Sequence, residues 1–350
     1  MKNISPVIFF LIMLHLLNSC SDSKAGSSEI KKDATRVVIS NDSVRRIEIL
    51  DAEALTLLDL STAMQVIASG FTWTEGPLYI ADGDYLLFSD IPNNKVYRWK
   101  EGEDTSVYLY PSGFTGKFYN GKEPGSNGLL LNKNKELILL QHGDRRVAKM
   151  NASLDHPRPD YLTLADKYDN KKFNSPNDAV FAEDGSLYFT DPPYGLANRL
   201  QDSAKQLSFQ GVFILRPNGK LELFTDEIKF PNGITLSPGG KYLLVANSDP
   251  DNKIWMRYEL DEKGMKKSGG IFYHAKDDDG KDNGNPDGMK MNKQGYLFAA
   301  GPGGIWLFNP AGKVIARIYT GALTSNCAFG KDQKELFITS SANVMRIKLK

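Results

Sequence analysis

Beyond residue 65 the chain is written in short apolar runs, many alternating with polar side chains, separated by clusters of Gly, Pro, Asn and Asp. A period of two puts successive side chains on opposite faces of a half-buried strand. Turn formers at close intervals end each strand early, the texture of a sandwich, barrel or propeller. Residues 71–90, FTWTEGPLYIADGDYLLFSD, are typical, with the apolar runs LYI and YLLF on either side of a polar turn. Glu75 breaks that alternation, a carboxylate set against Gly76-Pro77 at the start of a strand. One stretch has helical spacing instead: DAEALTLLDL, residues 51–60, apolar at 54, 55, 57 and 58. It predicts a short amphipathic helix capped by Asp51.

The strand pattern repeats. Glu75 opens EGPLYIADGDYLLFSD, Asn127 opens NGLLLNKNKELILLQH, and Asn177 opens NDAVFAEDGSLYFTDP. Asn232 opens NGITLSPGGKYLLVAN, Asp287 opens DGMKMNKQGYLFAAGP, and Asn326 opens NCAFGKDQKELFITSS. Each unit is an acidic or amide residue, a small or polar residue or cysteine, an apolar strand, a polar turn and a second apolar strand. The openings lie 50 to 55 residues apart, with the last interval shortened to 39. A β-propeller blade of four strands takes roughly 40–50 residues plus insertions. The predicted fold is therefore all-β, a six-bladed β-propeller over residues 42–350 that includes the helix at 51–60. After Asn326 only CAFG, LFITSS and VMRIKL remain as strands, so the last blade lacks its fourth. The strand MQVIASG, residues 64–70, is expected to supply it and close the ring, which removes exposed edges.

In a propeller the first strand of each blade lines the central channel, so the six opening residues should converge at one mouth. Glu75, Asn177, Asn232 and Asp287 would then face one another. Two carboxylates and several amide carbonyls form an all-oxygen donor set suited to a hard divalent cation, Ca2+ before Mg2+, with Mn2+ or Zn2+ as alternatives. Any single Asn could equally cap a turn; six in phase favour the metal reading. Asn127 and Asn326 could line the pocket as hydrogen-bonding groups or only brace turns.

The remaining composition sets bounds. Of 350 residues, 41% are hydrophobic and 24% charged, with a net charge of +1. No basic run in the folded part exceeds Lys171-Lys172 or Lys266-Lys267, which argues against nucleic acid as a partner. At the N-terminus, Lys2 precedes the apolar run VIFFLIMLHLLN, which is short for a membrane span, and LLNSC follows. We expect residues 1–19 to be a lipoprotein signal cleaved before Cys20, which then carries the lipid. A plain signal peptide with an incidental cysteine is the alternative. Residues 20–41 read as a flexible tether. The expected location is the bacterial cell envelope, periplasm or surface, with the lipid anchor as the only membrane contact. Cys327, the second of two cysteines, is expected to be a buried small apolar residue.

The words FTWTEGP, LLFSDIPNNKVYRW, EPGSNGLLL, QHGDRRVAKM, NSPNDAVF, LYFTDPPYGL, FQGVF, FPNGITLSP, VANSDP, NPDGMKM and GPGGIWLF run in order through residues 65–350. In them the chain resembles the gluconolactonase branch of the senescence-marker-protein/gluconolactonase family. The resemblance implies a six-bladed propeller with a divalent cation at the channel mouth, held by Glu75, Asn177, Asn232 and Asp287. It also implies lactone hydrolysis with Asp287 as acid/base, acting on a small sugar lactone such as gluconolactone.

Other candidates carry less. His142 in QHGDRR could contact substrate, assist proton transfer, or pack against Asp144. Tyr194 in DPPYGL could stack on a sugar ring or shape the pocket. Residues 277–284, DDDGKDNG, fail the calcium-loop spacing because Lys281 falls at a ligand position, and read as a solvated acidic turn. GPGG at 301–304 lacks the strand-to-helix setting of a nucleotide loop. A second class of function stays open: a non-catalytic propeller that captures sugars or proteins, its cation structural. It is distinguished by whether Asp287 faces an open pocket.

Overall fold

The computed structural model of the protein describes residues 37–40, 44–275 and 282–350. The signal peptide, Cys20, most of the tether and much of the acidic turn lie outside the described residues.

The alternating runs form six antiparallel blades. Blades 1 to 5 span residues 74–109, 126–165, 179–225, 231–274 and 289–319, and blade 6 holds residues 324–348. The expected closure is present: Gln65–Ser69 pairs antiparallel with Asn343–Lys348 as the fourth strand of blade 6. The ring is thus fastened by pairing residues from both ends of the propeller segment. The innermost strands neighbour one another in chain order, and that of blade 6 meets that of blade 1.

Flat sheets arranged around an axis must bury both faces against their neighbours, and six apolar clusters occupy the interfaces. Leu86, Phe88 and Trp99 of blade 1 pack on Phe337 and Val344 of blade 6. Phe189 and Phe213 of blade 3 meet Ile138 and Leu140 of blade 2. Trp255 of blade 4 meets Trp306 and Phe308 of blade 5. Cys327 is fully buried in the cluster between blades 5 and 6, and burial pushes its thiol up to about 12. It packs as the small apolar residue its sequence suggested.

Two expectations at the start of the domain need correction. The segment 51–60 holds a short 3-10 helix, Ala52–Thr56, in place of an amphipathic α-helix over the whole stretch. Asp51 does cap it, accepting from the Glu53 N–H at 2.9 Å. The turn stops because the next residues are claimed by the C-terminus: Leu58 bridges Leu349, and the Lys350 N–H donates to the Leu57 carbonyl. A helix gains its stability largely from packing an apolar face, and here the backbone is already paired. The stretch expected to be tether ends in a strand, Val37–Ser40, paired with Arg46–Ile49. Arg46–Ile49 in turn pairs with Val314–Tyr319, so the hairpin extends blade 5 to six strands and covers its outer edge.

Candidate functional site

The opening residues sit where the inner strands begin, and local irregularity aims them. Pairing between first and second strands shifts register between Glu75 and Leu78, Ser126 and Leu129, Pro231 and Ile234, and Thr324 and Asn326. Such bulges bend a strand and redirect side chains. In blades 3 and 5, Asn177 and Asp287 instead precede short inner strands, Ala179–Phe181 and Met289–Met291.

The glycines that follow several opening residues have a steric cause. Inner strands crowd the axis so closely that a Cβ on Gly233 would lie 2.2 Å from the Asp287 carbonyl oxygen. One on Gly76, which adopts a φ of +52°, would lie 2.1 Å from the Asn127 carbonyl oxygen. These contacts link successive blades, as does the Gly128 N–H donating to the Asn177 carbonyl at 2.8 Å.

Glu75, Asn127, Asn177, Asn232 and Asp287 line one cavity of about 630 Å³, within the range of small-molecule sites. Asn326 does not line it. Its amide donates to Glu75 Oε2 at 3.2 Å and braces that carboxylate from the side, with the Gly76 N–H on the same oxygen at 2.8 Å. The Asn232 amide donates to Ser248 Oγ at 2.9 Å, which leaves its carbonyl oxygen as the free end. Asn127 Oδ1 and Asp287 Oδ1 are buried without a hydrogen-bond partner among the described residues. Buried oxygens are normally paired, so two orphans at one mouth mark a place for a positive group.

The electrostatics agree. Burial pushes the Glu75 carboxyl up to about 7, opposed by the Gly76 N–H and reinforced by the Asp178 charge. Asp287 is raised well above the usual carboxylate range, first by burial and then by repulsion from Glu75 and Asp178. A buried and a half-buried carboxylate that disfavour each other's ionisation would be relieved by a cation between them. Among the described residues no three His, Cys, Asp or Glu side chains cluster. Amide oxygens would complete the shell, a donor set that fits Ca2+ or Mg2+ and not the nitrogen and sulfur preferred by zinc.

Tyr194 reaches the cavity as expected; its ring stacks on Phe230 at 6.1 Å, with Arg199 5.5 Å over its face. His142 does not. It is fully buried and does not line the cavity. Asp144, one of the alternatives for its partner, instead accepts from Thr115 and pairs with Arg146 at 2.9 Å. His142 Nδ1 meets Glu123 Oε2 at 3.0 Å, and Nε2 lies 3.4 Å from Asn177 Nδ2. Glu123 and Ser248 line the cavity and escaped the sequence reading. Both lie off the repeat phase, Glu123 in the loop EPGSNG and Ser248 at the end of a second strand, so the period could not mark them.

The family described as SMP-30/Gluconolactonase/LRE-like region matches residues 73–342. A gluconolactonase from Zymomonas mobilis subsp. mobilis is 40% identical over 301 residues, 84% of this chain and 83% of the relative. A solved gluconolactonase from Xanthomonas campestris is similar with a TM-score of 0.74 at 25% identity, covering 92% of this chain and 99% of that one. A calcium-binding protein, regucalcin, from Agrobacterium tumefaciens shares the fold at a TM-score of 0.65 and 16% identity, covering 82% and 95%.

Proposed function

The chain belongs to the SMP-30/gluconolactonase/LRE-like family, and from that premise we propose that it is a lactone hydrolase acting on a sugar lactone of the gluconolactone type. The observation that carries this reading is the shared mouth: the buried carboxylate of Glu75, the half-buried one of Asp287 and three Asn side chains line one cavity, with Asp287 Oδ1 unpaired among the described residues. Glu75, Asn177, Asn232 and Asp287 would hold a divalent cation there, Ca2+ by their oxygen chemistry. When bound, the cation supplies Lewis-acid polarisation of the lactone carbonyl and charge stabilisation for the oxyanion.

Asp287 handles the proton. It takes one from the attacking water as the new C–O bond forms, and returns it to the ring oxygen as the lactone C–O bond breaks. A carboxylate beside a cation is a weak base, which suits a reactive sugar lactone and would not suffice for an amide. The Tyr194–Phe230 stack offers a flat apolar wall to a sugar ring, while Glu123, Ser248 and Asn285 supply hydrogen-bonding groups for hydroxyls. The proposal extends to the N-terminus: export under residues 1–19 and anchoring through Cys20.

The test is the initial rate of acid release from gluconolactone by the full chain, with chelator and with Ca2+ added back. Asp287→Asn keeps a carbonyl ligand but cannot move protons. It is expected to retain cation binding and lose turnover on the order of a hundredfold or more. Wild-type turnover in Asp287→Asn would reduce that residue to a ligand. A wild type indifferent to both lactone and chelator would favour a sugar- or protein-binding propeller instead.

A further inference from the structure

The path from Glu123 through His142 to Asn177 has no part in the proton transfer above, yet each contact in it has a direction. Glu123 is part-exposed at the cavity wall, and its Oε2 lies 3.0 Å from His142 Nδ1. His142 is fully buried, and its Nε2 lies 3.4 Å from Asn177 Nδ2. A carboxylate only accepts, so His142 Nδ1 must carry hydrogen and donate to it. In the neutral ring that leaves Nε2 as an acceptor, and an acceptor can satisfy only the NH2 end of the Asn177 amide. The carbonyl end, Oδ1, is then the one turned away from His142.

We propose that Glu123 and His142 are positioning residues: Glu123 locks the His142 tautomer, and His142 in turn locks the Asn177 amide so that its oxygen is offered to a divalent cation at the channel mouth. This rests on the cation reading of the mouth. With the tautomer free, the ring could donate through Nε2 to Asn177 Oδ1, and the NH2 group would face the cation instead. The other amides at the mouth are held by different means. Asn232 is set by Ser248 Oγ, and Asn326 donates to Glu75. Asn177 alone among these takes its orientation from a titratable ring whose own proton position must be set. Partners that orient a ligand typically contribute ten- to a hundredfold in metal affinity.

The experiment measures Ca2+ binding to the purified full chain by calorimetry, with Ca2+ alone as the probe, alongside the melting temperature in chelator. Glu123→Gln and Glu123→Leu remove the same charge from the cavity wall, but only Gln can still accept from His142 Nδ1–H. The proposal expects Leu to bind Ca2+ about tenfold or more weakly than Gln. Two changes at His142 separate its two bonds. Gln can place an acceptor near the Nε2 position, whereas Asn can donate near Nδ1 and offers nothing to Asn177. His142→Gln should therefore bind Ca2+ more tightly than His142→Asn by more than any difference in their melting temperatures in chelator accounts for. Equal affinities within both pairs overturn the inference while leaving the cation site standing. Absence of Ca2+ binding in the wild type overturns the cation site and this inference together, and affinities that simply follow the melting temperatures reduce His142 to a packing role.

Discussion

Replacing Glu75 by Gln removes a buried charge while keeping the bonds that hold the side chain. Glu75 Oε2 accepts from the Gly76 N–H and the Asn326 amide, and a Gln carbonyl oxygen can accept both. In the wild type without cation, burial raises the Glu75 carboxyl from 4.5 to about 7. A folded-state value above the unfolded one stabilises the fold while the group is protonated. That contribution is complete below pH 4.5 and is lost as the pH rises through 7. At 1.36 kcal/mol per unit, the loss is about 3 kcal/mol. For a domain of about 300 residues, with unfolding entropy of about 2.1 cal/mol/K per residue, that corresponds to about 5 °C in Tm. Chelated wild type should therefore melt lower at pH 8 than at pH 5. Glu75→Gln should show a drop about 4 °C smaller, because at pH 5 the contribution is not yet complete. Asp191 is also raised, to about 7, but it is common to both proteins and cancels in the comparison; Asp287, raised in part by the Glu75 charge itself, is raised less in Glu75→Gln and adds to the difference in the same direction. Ca2+ should restore the wild type at pH 8, since ionised carboxylates then bind it, and should help Glu75→Gln only in excess. Scanning calorimetry at the two pH values, with chelator and with Ca2+, reads all of this. Equal pH drops in the two proteins would refute the assignment of the penalty to Glu75.

Three further outcomes test the architecture and the proposal. Gly233→Ala sets a Cβ against the Asp287 and Gly288 backbone at 2.2–2.8 Å; it should cost about 1–3 kcal/mol of stability and lower kcat in lactone assays, whereas Gly270→Ala, with open space at its Cβ, should change neither. Tyr194→Ala removes the ring stacked on Phe230; a loss of about 1.5 kcal/mol of ring contact would raise KM for the lactone about tenfold with kcat little changed, and an unchanged KM would remove Tyr194 from the substrate wall. Cys20→Ser should shift the protein from the membrane to the soluble fraction of cell lysates with its lactone turnover intact, and persistence on the membrane would refute the lipid anchor.

The arrangement of the ring follows from local patterns. Strand alternation, turn clusters and the recurrence of Glu75, Asn127, Asn177, Asn232, Asp287 and Asn326 are properties of contiguous residues, and they determined six blades and the closing role of Gln65–Ser69. The missing fourth strand could be counted because a propeller blade takes four strands and only three strand-like runs follow Asn326. The tertiary structure decided matters that involve partners distant in sequence. The helix expected at 51–60 shrank to the 3-10 helix Ala52–Thr56 because Leu58 and Leu57 are paired with the C-terminus, some 290 residues away. Asn326 shares the phase of the other openings, but a contact with the neighbouring blade, where the ring closes, turns it onto Glu75 and away from the cavity. His142 meets Glu123 rather than nearby Asp144 because the loop before blade 2 delivers a carboxylate to its buried ring. A repeat specifies where a side chain leaves the backbone. Where it points, which oxygens stay unpaired and how far a carboxyl is shifted depend on burial and on groups from other blades, and those come together only when the ring closes.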